Sequence, residues 1–140
     1  MKIAVSAYEN HLNSQMDPRF GRTPGFILYD SQTDEVSYLD NSENLRQAQG
    51  AGIKTAKLIA DAGADALITG RMGPKAAQVL NRTRIKAYYC DQGTVKDAIE
   101  ALQENRLREL ASADIRTGPG KGAGREKRGG AQARGGRGRA

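Results

Sequence analysis

The residues best suited to chemistry fall in three short stretches, each carrying glycine. The first is Arg19-Phe20-Gly21-Arg22, inside the Pro-, Gly- and Arg-rich run Met16–Phe26. The second is Gly70-Arg71-Met72-Gly73, immediately before Pro74, and the third is Asp91–Thr94 with Gly93. Arginine brings a permanent charge and a fork of donors, and glycine leaves backbone N–H groups uncovered. Two of the stretches run straight into predicted helices, whose first N–H groups and dipole favour an anion. The candidate binding residues are therefore Arg19, Phe20, Gly21, Arg22, Gly70, Arg71, Gly73, Gly93 and Thr94, and the ligand they imply is compact and anionic. The competing reading is that the glycines only make turns and the arginines only solvate a face.

Metal ligation and catalysis have less behind them. His11, Met16, Asp17 and Cys90 are ligands by type, with His11 and Cys90 kept as the metal candidates. No pair of them has the i, i+3 or i, i+4 spacing of a helix-borne site. His11 also reads as a surface loop histidine, Cys90 as a buried inert thiol, and Met16 and Met72 as gap-fillers. No Ser/His/Asp set or Cys/His pair is suggested, so no catalytic residue is assigned and the chain is expected not to be an enzyme. A nuclease holding two metals needs clustered carboxylates, which the first strand lacks and the fifth supplies only as Asp91.

The elements that must position these stretches can be read from periodicity. Ile3–Val5 is a buried strand; Gly25–Asp30 and Glu35–Asp40 pair as a hairpin across the turn Ser31–Asp34. After a polar linker, Asn41–Gln49, a helix opens at Gly50-Ala51-Gly52 with Ile53, Ala56, Ile59, Ala60 and Gly63 along one face. Ala66–Thr69 is a strand, and Pro74 starts a second helix that packs Ala77 and Leu80, with Ala76 and Val79 as further candidates. Ile85–Cys90 is the fifth strand. Thr94 and Asp97 form a capping box for a third helix that turns Val95, Ala98, Ile99 and Leu102 inward, while Leu107 and Leu110 close the core. Right-handed crossovers make the later strands parallel. An α/β fold follows, a mixed five-stranded sheet of order 3-2-1-4-5 in the ribonuclease-H-like arrangement, with helices on its faces. All three stretches then leave the carboxyl ends of parallel strands, where ligands of open α/β sheets bind.

The end of the chain is different. From residue 116 to 140 it holds nine of the seventeen glycines and eight Lys/Arg against one acid, Glu126. That segment is +7 in a chain of +6, so residues 1–115 are −1, and the basic pI of 9.7 belongs to the tail. The expected organisation is a domain over residues 1–112 and a disordered basic tail over 113–140. The tail could touch nucleic acid through phosphates, although it lacks aromatics for stacking; it could equally be a solubilising or protein-docking segment, or help capture an anionic ligand. One cysteine excludes an intrachain disulfide framework. No apolar run approaches the length of a membrane span, and no signal peptide is evident, so no membrane contact and a cytoplasmic location are expected.

Arg19-Phe20-Gly21-Arg22-Thr23-Pro24-Gly25-Phe26 resembles the His-Phe-Gly-Arg-Ala-Pro-x-Phe signature of the dinitrogenase iron–molybdenum cofactor biosynthesis family, which includes NifX-type, NifB C-terminal-type and orange-protein-like domains. Gly50-Ala51-Gly52-Ile53-Lys54, Gly70–Ala76, Ile85–Tyr88 and Gly93-Thr94-Val95 match in the same order, so the resemblance spans about residues 2–110. It implies non-catalytic binding or carriage of a metal–sulfur cluster, of iron–molybdenum or a related Mo, Fe or Cu sulfide type. The partners implied are cofactor-assembly proteins or a recipient metalloenzyme, for a protein that is a monomer or weak dimer. Such clusters are anionic and bring their own sulfides, in keeping with a site rich in Gly and Arg. One departure stands out: Arg19 occupies the position where the family often has His, so a charge and hydrogen-bond donor replaces an imidazole.

Overall fold

A computed structural model describes residues 1–46, 50–111 and 114–115. Five strands form one sheet: β1 (Lys2–Ala7), β2 (Gly25–Asp30), β3 (Val36–Asp40), β4 (Ala66–Thr69) and β5 (Lys86–Tyr89). Their order is β3-β2-β1-β4-β5, the order expected from the sequence. β1 pairs antiparallel with β2, with Val5 opposite Ile27, and parallel with β4, with Val5 opposite Ile68; β4 and β5 are parallel. β1 is central and buried from Ile3 to Ala7, which explains its unbroken run of small and apolar side chains.

The pleat sends alternate residues into two cores. Ala4, Phe26, Leu28 and Leu67 face the helices α1 (Ala51–Asp61) and α2 (Pro74–Arg82), meeting Ala56, Ile59, Ala76 and Leu80. Ile3, Val5, Ile27 and Ile68 face the single helix α3 (Val95–Gln103) through Val95, Ala98 and Ile99. Gly63 is not on the inner face of α1, as its spacing suggests, but beyond the helix end, where φ of 80° makes it the left-handed terminator. Past α3 the backbone returns along β5: Tyr89 N–H donates to the Arg108 carbonyl and Leu110 N–H to Ala87. This return covers the sheet edge that β5 would otherwise expose. No helix among the described residues is long and apolar enough to cross a membrane.

Candidate functional site

The long connection between β1 and β2 is built as a wall against the other carboxyl-end loops. Asp17 N–H donates to the Ser6 carbonyl at 2.8 Å and Met16 N–H to Gly93 at 2.9 Å. Arg71 N–H donates to Pro18 (2.8 Å), and Phe20 N–H donates back to Arg71 (3.0 Å), so residues 18–20 run beside the 70–72 loop like a short parallel strand. Gly70 is what permits this, because a Cβ there would lie 2.6 Å from the Cβ and the carbonyl oxygen of Pro18. The buried Ser6 hydroxyl adds bonds to the Asp17 carbonyl and, at 3.0 Å, to Thr69. Phe20 is 1% exposed and tilts against Phe26 with 5.6 Å between ring centres, so it anchors the Phe20–Arg22 turn in the core. Its side chain is structural and presents nothing to a ligand.

The loop's charges divide between committed and available. Asp17 is fully buried, and Arg19 holds it with a fork, Nε to Oδ1 and Nη2 to Oδ2, both at 2.9 Å. The backbone N–H of Arg19 adds a third bond at 3.0 Å. The hydrogen bond to Asp17 raises the guanidinium further above its ordinary value, against the opposing effect of burial. Arg19 is thus paired to Asp17, and its guanidinium carbon lies 5.7 Å from the Tyr8 ring centre. Among the described residues, Arg22 and Arg71 have no side-chain hydrogen bond or ion pair. Arg71 opens onto a cleft of about 320 Å³ lined also by Pro18, Gly70, Tyr89, Asp91 and Asp114.

The three helix N-termini differ. α3 is closed from within: Val95 N–H donates to Ser14 and Lys96 N–H to Leu12, while Thr94 and Asp97 complete the capping box. Gly93 sits at φ 92° and Thr94 uses its hydroxyl on Asp97 N–H at 3.1 Å, so this stretch shapes the turn and leaves few donors free. α1 and α2 are open. They start from Gly50 (φ 79°) and Gly73 with no side-chain cap, and no described acceptor takes the N–H groups of Ala51, Gly52, Lys75 or Ala76. The α1 opening meets the Phe20–Arg22 turn, and the α2 opening meets α1. A Cβ on Gly21 would lie 3.7 Å from Gly52 Cα, and one on Gly52 would lie 3.5 Å from Ala76 Cβ. The α1 opening was legible only as a helix start; its glycine pair with no capping residue was the available signal.

Three buried polar residues outside the candidate list hold this geometry. Asn41 is 1% exposed; its amide donates to the Thr23 carbonyl (3.0 Å), and its oxygen accepts from Thr55 (3.2 Å) and Asn44 (2.8 Å). It ties the end of the long loop to the first turns of α1, in a segment that reads as plain linker by composition. The Thr23 hydroxyl lies between the carbonyls of Ala7 and Gly25. The metal candidates are not brought into a ligand set. His11 is exposed and bonded to Glu9 at 2.9 Å, and the Cys90 thiol donates to the Gln92 carbonyl at 3.2 Å. Among the described residues no group of three or more His, Cys, Asp or Glu could hold a metal ion.

This is a small α/β domain with two uncapped helix N-termini that start from glycine. The chain belongs to the dinitrogenase iron–molybdenum cofactor family, whose model matches residues 1–105. It is similar to the apo form of the orange protein from Desulfovibrio gigas, at 37% identity and a TM-score of 0.76, over 79% of this chain and 92% of that one. A Thermotoga protein described as a candidate NifB protein is similar at 31% identity and a TM-score of 0.72, over 85% of this chain and 98% of the other. An uncharacterized protein of Methanocaldococcus jannaschii is 30% identical over 112 residues, 79% of this chain and 92% of its own.

Proposed function

We propose that this protein binds and carries an anionic metal–sulfur cluster, of iron–molybdenum or related Mo, Fe or Cu sulfide type, during cofactor assembly, without acting as an enzyme. Its partners on this reading are cofactor-assembly proteins or a recipient metalloenzyme. The observation that carries it is the packing of two uncapped helix N-termini against each other, the α1 opening also against the Phe20–Arg22 turn, with Arg22 and Arg71 free of side-chain hydrogen bonds and ion pairs among the described residues. N–H groups and guanidinium forks hold the sulfides of a ready-made cluster by hydrogen bonds and charge. A cargo that brings its own sulfur needs little ligation from the protein, which suits His11 and Cys90 being engaged elsewhere. Arg19 then acts through Asp17, holding the wall, rather than by gripping the cluster. Family membership and the likeness to the orange protein support the reading.

Anaerobic reconstitution with tetrathiomolybdate and copper, or with iron and sulfide, tests it. A retained visible chromophore is expected after desalting, and Arg22→Gln with Arg71→Gln should weaken retention roughly tenfold, as the loss of two charge-assisted contacts implies. A colourless protein under both regimes overturns the reading.

A further inference from the structure

The last described residues are fastened to the rim of the candidate site. Met72 N–H donates to the Asp114 carbonyl at 3.3 Å, and Ile115 forms a parallel bridge with Met72 and packs against the α1–α2 core. Asp114 is held in turn: Arg108 reaches its carboxylate at 2.8 and 3.3 Å, and Ala111 N–H donates to it at 2.8 Å. Arg108 itself lies 4.2 Å above the Tyr89 ring. The 70–72 loop is therefore flanked by residues 18–20 on one side and 114–115 on the other. Arg116, the next residue in the chain, begins a 25-residue segment with eight Lys/Arg and one acid.

We propose that residues 116–140 are the electrostatic collector of the site, drawing anionic clusters toward the rim to which their root is tied. This rests on the anion-carrier reading above. The charge distribution supplies the argument: residues 1–115 are −1, so the body as a whole offers an approaching anion no net attraction. The +7 segment reverses that, and it follows directly in sequence on Asp114 and Ile115, which are bonded to the 70–72 loop. Fully extended, 25 residues span roughly 80 Å, more than enough to reach any part of the rim. Steering of this kind raises association rates and fades with salt, while leaving dissociation to the groups that grip the bound cargo.

The test compares the full chain, a full-length variant with the eight Lys and Arg of residues 116–140 changed to Gln, and Arg22→Gln/Arg71→Gln with the tail intact. Stopped-flow absorbance follows tetrathiomolybdate binding at about 10 mM and about 1 M salt. The charge-stripped chain should associate about tenfold more slowly at low salt, converge with the parent at high salt, and dissociate at the parental rate. The Arg22/Arg71 variant should show the reverse, near-normal association with faster dissociation. Equal low-salt association by the parent and the stripped chain overturns the collector while leaving the carrier reading intact. If the parent binds nothing, both proposals fall.

Discussion

Asp17 and Arg19 neutralise each other, and that pairing sets what each can do. A fully buried carboxylate must keep its partner, while the guanidinium side chain is 49% exposed. Arg19→Ala leaves Asp17 with one backbone N–H, so urea unfolding should show a loss of about 2 kcal/mol. Adding Asp17→Asn to Arg19→Ala should recover part of that loss, because the uncompensated charge disappears. Gly70→Ala drives a methyl group to 2.6 Å from the Pro18 backbone; it should cost about 1–3 kcal/mol and lower the melting temperature by several degrees. From sequence, Gly70 reads as a ligand-facing glycine, whereas its demonstrable task is backbone contact between two loops. Residue type alone cannot separate these, because a glycine that admits a neighbouring chain and one that admits a ligand are the same residue. Arg19 was ambiguous for a related reason: only the fold shows that Asp17, two residues earlier, is buried and in reach of the fork.

At the scale of elements, strong local signals were legible and weak ones were not. Unbroken apolar runs revealed β1 and β4, and Thr94 with Asp97 announced the capping box of α3. Thr94→Ala should cost about 1 kcal/mol in thermal or urea unfolding. Because Val95 and Lys96 donate to Ser14 and Leu12, the same change should also speed amide exchange in the first loop. The return segment beyond α3 was not legible as an edge-pairing piece, since only Leu107 and Leu110 mark it and its bonds are made by backbone. Asn41 was hidden similarly. A polar residue in a polar run gives no sign that it will be buried, and its role comes from Thr23 and Thr55, far away in sequence. The sheet order agrees with the expected 3-2-1-4-5, a choice that connection rules narrow without fixing, since they act independently of side-chain detail.

Across the whole molecule, three tyrosines tie stability to alkaline pH. Tyr29 and Tyr89 are raised above the ordinary phenol value chiefly by donating to Asp34 and Asp91, and Tyr38 chiefly by burial. The Tyr38 side chain lies over Gly25, where a Cβ would collide with its hydroxyl, so that burial belongs to the packing of the β2–β3 pair. A folded-state value above the unfolded one means that unfolded chains lose the phenolic proton first. Stability from these groups is complete below the unfolded value of about 10 and is lost as pH climbs through the higher folded values. Melting temperature should therefore hold up to about pH 10 and fall beyond it. The Tyr29→Phe/Tyr38→Phe/Tyr89→Phe variant should fall less steeply over the same range, although it begins lower through the loss of two hydrogen bonds. Parallel declines for parent and variant would show that the phenols carry no part of the alkaline transition.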